Sequence, residues 1–72
     1  MSQRKLNRIK AILVEKGVSN KALAEKMNVT QGTVSTWCRN FKQPGMDTLF
    51  DIADYLQVEA RDLLCSMKTA GY

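Results

Sequence analysis

Apolar residues recur at helical spacing along most of this chain, and no segment alternates apolar and polar residues for long enough to suggest a strand. Leu6, Ile9, Ile12 and Leu13 share one face, with Val14 flanking, which predicts a first helix from about Gln3 to Lys16. Leu23, Ala24 and Met27 mark a second helix that ends near Met27, and Val34 and Trp37 mark a third from about Gln31 to Arg39. Met46, Leu49, Ile52, Ala53 and Leu56 predict a fourth helix from Met46 to Leu56. Leu63 and Leu64 suggest a short fifth, from about Glu59 to Cys65.

The residues between these stretches are helix punctuation. Gly17 is suited to a left-handed C-terminal cap. Ser19 and Thr30 carry hydroxyls that can accept from the free N–H groups of the second and third helices. Asn28 tolerates the left-handed backbone that a sharp turn needs. The segment Asn40 to Gly45 reads as a loop, because Pro44 disfavours helix at Gln43. Asp47 and Asp51 favour the start of the fourth helix electrostatically. The expectation is a compact all-α domain of five helices over residues 1–65, followed by a tail, 66–72, that includes Met67 and Tyr72 and has little to anchor it. A chain of 72 residues holds one small core, so its stability should be modest.

The second and third helices carry the chemistry. Val34 and Trp37 lie three apart and share a face, so both point inward and Trp37 is a core residue rather than a stacking platform. Met27 and Met46 are inner positions by the same spacing. The outer face of the third helix is left with Gln31, Gly32, Thr33, Ser35 and Thr36. Such a surface buries little, but its amide and hydroxyl groups suit the base edges of a DNA major groove.

Charge changes the picture further. The net charge of +4 is unevenly placed. Residues 1–45 hold nine cations against Glu15 and Glu25, a net +7, and residues 46–72 hold Arg61 and Lys68 against five acids, a net −3. A polyanion would meet the first part of the chain. No apolar run approaches the roughly 18 residues of a membrane span, and Met1 to Arg8 lacks the apolar block of a secretory signal, so a cytosolic protein is expected. Without histidine, Cys38 and Cys65 form neither a metal site nor a thiol–base pair; they read as small core or surface thiols, and no metal, cofactor or enzymatic activity is expected.

The segment Asn20 to Arg39 resembles the helix-turn-helix of the Cro/repressor-type (Xre-like) DNA-binding family. Leu23-Ala24, Val29-Thr30, Val34-Ser35 and Trp37 fall at its motif positions, and the Pro44-to-Leu49 segment with Ile52-Ala53, Leu56 and Val58 matches its fourth helix. Asn28 stands where the family usually has glycine, and Gly32 is a departure early in the third helix. The resemblance implies base reading by Gln31, Gly32, Ser35 and Thr36, with Thr33 a weaker candidate. It implies phosphate contacts from Asn20, Thr30, Arg39, Asn40, Lys42 and Gln43. Several residues keep a second reading. Asn20 is also an exposed helix-start amide, Arg39 and Lys42 are also solvated charges, and Gly32 either admits close backbone approach or is a tolerated poor residue. Phe41 covers the core or stays exposed.

What the resemblance implies is a sequence-specific regulator, a repressor by promoter occupancy, bound to double-stranded DNA as a homodimer on a near-palindromic operator. Phage-type repressors, restriction–modification controllers and antitoxins belong to the same class. Phe50, Tyr55, Leu64 and Cys65 either line a dimer surface or pack between the fourth and fifth helices. The alternative is a protein-interaction module on the same fold, favoured by Gly32 and by the absence of Arg or Lys from Gln31 to Cys38.

Overall fold

The computed structural model describes residues 5–65; the expected tail, 66–72, lies outside them, as does the expected helix start at Gln3. The helices are α1, Ile9–Lys16; α2, Asn20–Met27; α3, Gln31–Cys38; and α4, Met46–Leu56. In place of a fifth helix there is one 3-10 turn, Ala60–Leu63. Glu59 and Asp62 close that turn with a reciprocal cap, in which Asp62 Oδ2 accepts from the Glu59 N–H at 3.0 Å.

Local chemistry sets most of these bounds. Ser19 Oγ accepts from the Ala22 N–H at 3.0 Å to start α2, and Thr30 Oγ1 accepts from the Thr33 N–H at 3.1 Å to start α3. All four helices end the same way. A residue with positive φ (Gly17 at 70°, Asn28 at 60°, Asn40 at 59° and Gln57 at 59°) precedes an apolar residue whose N–H reaches back five positions. Those bonds run from Val18 to the Leu13 carbonyl, Val29 to Ala24, Phe41 to Thr36 and Val58 to Ala53, at 2.9, 2.9, 2.9 and 3.0 Å. Each one satisfies a carbonyl that the helix end would leave unpaired.

The core gathers Ile9, Ile12 and Leu13 of α1, Leu23 and Ala24 of α2, Val34 and Trp37 of α3, Leu49, Ile52, Ala53 and Leu56 of α4, and Leu63 of the 3-10 turn. Val18, Met27, Val29, Tyr55 and Val58 pack against its rim. The inward assignment of Trp37 holds, and Met27 is half-buried. Met46 does not follow the expected pattern: it is 69% exposed. It occupies the first position of α4, where side chains lean back toward the helix start and here lean past the core edge.

The start of α1 is the main departure. Residues 5–8 are not helical, and Leu6 is exposed rather than on the inner face. Asn7 is buried, and its Oδ1 accepts from the Ile9 N–H at 3.0 Å, which begins the helix there. Asparagine side chains compete with helical backbone bonding in this way. The segment instead pairs with the far end of the domain: the Cys65 N–H donates to the Leu6 carbonyl at 2.9 Å, the Arg8 N–H donates to the Leu63 carbonyl at 2.8 Å, and Asn7 and Leu64 form an isolated antiparallel bridge. Leu64 is therefore exposed and bridged rather than on an inner helical face.

Candidate nucleic-acid interface

α3 exposes Gln31 and Gly32 to solvent, with Thr33, Ser35 and Thr36 half-buried beside them. Among the described residues the Gln31 amide makes no hydrogen bond, so both its donor and its acceptor are available. The hydroxyls are more committed. Thr36 Oγ1 donates to the Thr33 carbonyl at 2.6 Å and keeps its lone pairs, and Thr30 Oγ1 lies 3.0 Å from Thr33 Oγ1 while it caps the helix. Thr30 and Thr33 thus serve the helix start, and Thr36 is left as an acceptor and a methyl group.

A Cβ built on Gly32 would meet only Thr30 Oγ1, at 3.7 Å, an ordinary contact, so nothing within the folded chain requires glycine at this position. Gly32→Ala should therefore stabilise the domain by roughly 0.5–1 kcal/mol through helix propensity and a less flexible unfolded chain. Thermal unfolding followed by circular dichroism would then show a midpoint higher by a few degrees; a lower midpoint would reveal strain at the helix start that the geometry does not show.

The residues after α3 divide into two groups. Arg39 and Lys42 are exposed, and the Arg39 guanidinium carbon lies 4.4 Å from the centre of the Phe41 ring. Phe41 is 49% exposed, so it serves as a platform for Arg39 rather than a cover for the core. Asn40 and Gln43 are committed elsewhere. Asn40 Oδ1 accepts from the N–H groups of Leu6 and Asn7 at 2.9 and 3.0 Å and from Gln43 Nε2 at 3.1 Å, and its Nδ2 donates to the Asn7 carbonyl at 3.2 Å. Asn7 Nδ2 donates to Gln43 Oε1 at 2.6 Å and to the Trp37 carbonyl at 3.0 Å. The side chains of Asn40 and Gln43 anchor the loop to the N-terminal segment.

Asn20, the first residue of α2, is half-buried, and its Oδ1 lies 3.9 Å from Cys38 Sγ. Its amide N–H₂ makes no bond among the described residues and can donate outward. Burial pushes the Cys38 thiol up, and the positive charge of nearby Lys10 acts the other way. The sequence pattern missed Asn7: its Oδ1 takes the Ile9 N–H two residues on, from outside the cap position held by Arg8.

Two facing helices joined at a left-handed Asn28, the second with an uncommitted polar outer face, define a recognisable unit, and a helix-turn-helix family model (HTH_3) matches residues 9–63, from α1 through the 3-10 turn. The chain belongs to this helix-turn-helix family. No curated protein matches it at a significant level. Among solved structures, this helix-turn-helix chain is similar to a candidate DNA-binding protein from Bacteroides fragilis, with 45% identity and a TM-score of 0.82 over 83% of this chain and 97% of that one. It is also similar to SinR, the master regulator for biofilm formation, solved in complex with DNA, at 34% identity and a TM-score of 0.66 over 75% of this chain and 87% of that one. The clp gene regulator ClgR from Corynebacterium glutamicum shares 25% identity with a TM-score of 0.72, over 76% of this chain and 58% of ClgR. Among the described residues, no helix is long and apolar enough to cross a membrane.

Proposed function

We propose that this chain is a sequence-specific double-stranded DNA-binding regulator that represses by occupying its site, with α3 as the recognition helix. The observation that carries this reading is the outer face of α3. It offers Gln31 with both amide groups free, an open Gly32 and an accepting Thr36, and Arg39, Lys42 and Asn20 stand at its flanks with donors to spare. Phosphate contacts from the flanking groups supply affinity and register, and the α3 side chains choose the sequence. Similarity to a regulator solved in complex with DNA supports the same placement.

One such helix reads few base pairs, so the working form is a homodimer on a near-palindromic site with half-sites about 10 base pairs apart. Phe50, 58% exposed on α4, and Leu64 supply apolar surface for the second copy; Tyr55 packs on the core rim instead, with Lys26 Nζ 5.7 Å from its ring centre. A cytosolic setting follows from this role.

Gln31→Ala should weaken the preferred duplex by about 1–3 kcal/mol and relax choice at one base position, because a bidentate amide–adenine pair is lost. Lys42→Ala should weaken all duplexes alike and reduce the salt slope by about one unit. Titrations of both variants against preferred and scrambled duplexes over a salt series would test this, with a stoichiometry of two chains per preferred site. Equal weakening of both duplexes by Gln31→Ala would remove it as a base reader. Absence of wild-type binding at low salt would turn the reading toward a protein-interaction module.

A further inference from the structure

Residues 6–8 are gripped from both sides. On one side the Asn40 amide takes the N–H groups of Leu6 and Asn7 and returns a bond to the Asn7 carbonyl. On the other, Leu6 and Arg8 bond to the backbone of Cys65 and Leu63. Asn7 is 1% exposed and ties the same segment to the Trp37 carbonyl at the end of α3. Asn40 itself holds a left-handed φ of 59°, which turns the chain after α3 and aims its amide at this segment. The exposed residue immediately before the grip is Lys5, so its backbone lies beside the loop that carries Arg39 and Lys42.

The sequence gives this junction a particular charge. Residues 1–14 and 26–46 contain no acidic residue, and together they hold Arg4, Lys5, Arg8, Lys10, Lys26, Arg39 and Lys42, seven of the eleven cations. The Asn40 grip joins one acid-free stretch to the other. The opposite side of the arm meets residues 63–65, beside Asp62. On the loop side Lys5 adds its charge to those of Arg39 and Lys42, and the ligand complementary to such a basic edge is a line of phosphates.

We propose that Lys5 is a phosphate contact and that residues 5–8 form a second arm of the DNA interface, positioned by Asn40 so that the arm and the loop after α3 grip one duplex backbone. This inference rests on the DNA-binding reading above. The phosphate-binding element is then assembled from two segments more than thirty residues apart, and Asn40 is a positioning residue that acts through Lys5.

The test is a salt series from about 50 to 200 mM on the intact chain with two labelled probes, a preferred duplex and a scrambled duplex, each of about 20 base pairs. Lys5→Gln should reduce the slope of log affinity against log salt by about 0.9 on both probes, with unchanged melting, and Lys5→Arg should restore it. Asn40→Ala, checked by melting to be folded, should also reduce the slope, yet add nothing in the Lys5→Gln background. An unchanged slope for Lys5→Gln beside a steep wild-type slope overturns the arm and leaves the DNA-binding reading intact. Additive slopes for the double variant overturn the positioning role of Asn40. A flat wild-type slope on both probes removes the reading on which the proposal stands.

Discussion

Trp37→Ala should lower the stability of the domain by about 3–5 kcal/mol, and should do so without DNA present. Trp37 is 6% exposed and belongs to the buried cluster that also holds Val34 from the same helix face. Truncating a buried tryptophan costs about 3–5 kcal/mol, through lost transfer energy and the cavity left behind. A 72-residue domain has a total stability of roughly 4–11 kcal/mol by the usual per-residue scale, so the substitution consumes a large part of it. Circular dichroism with thermal melting measures this directly. Should the variant melt near the wild-type temperature while DNA binding disappears, Trp37 contacts a base and the inward assignment fails.

The second large effect belongs to Asn7. Asn7→Ala removes the cap on the Ile9 N–H and two donations, to the Trp37 carbonyl and to Gln43 Oε1, all from a site with almost no access to water. Bonds of this kind contribute about 0.5–1.5 kcal/mol each, and buried partners left unpaired add to the cost, so a loss of about 2–4 kcal/mol is expected. Asn20→Ala is the matched control, since its only bond within the described residues is a long one from Cys38 Sγ. Its melting should shift little, within about 0.5 kcal/mol. Equal melting of the two variants would show that the Asn7 network holds nothing together.

α2, the turn and α3 were legible in the sequence because each determinant is local. Ser19 and Thr30 bond within three residues, Asn28 supplies its own left-handed turn, and the spacing of Leu23, Ala24, Val34 and Trp37 already separates inside from outside. The bounds of α4 followed in the same way from Pro44 and the run of inner residues that ends at Leu56. The repeated endings Gly17-Val18, Asn28-Val29, Asn40-Phe41 and Gln57-Val58 are local as well, and only the first two were read as turns of that kind: glutamine gives no propensity signal for a left-handed cap, and Asn40 was absorbed into the loop read from Pro44.

The rest was decided by groups that are neighbours only in the folded chain. Helical periodicity extended α1 back to Gln3, but Asn40 and the backbone of Leu63 and Cys65 took up the hydrogen bonds of residues 6–8 and kept that segment out of the helix. The same contacts tie the side chains of Asn40 and Gln43, which the motif implied as phosphate contacts, to the N-terminal segment that follows Lys5. Met46 satisfied the pattern of an inner position and still faced solvent, because the edge of the core is set by where α4 meets its neighbours. The sequence by itself determined α2, α3 and α4, the caps at Ser19 and Thr30, the left-handed ends at Gly17 and Asn28, and which side of α3 faces inward, because those causes act within a turn or two. Tertiary structure alone decided which polar side chains remained free to meet a ligand, because the long-range bonds that commit Asn7, Asn40 and Gln43 join residues 30 to 36 positions apart.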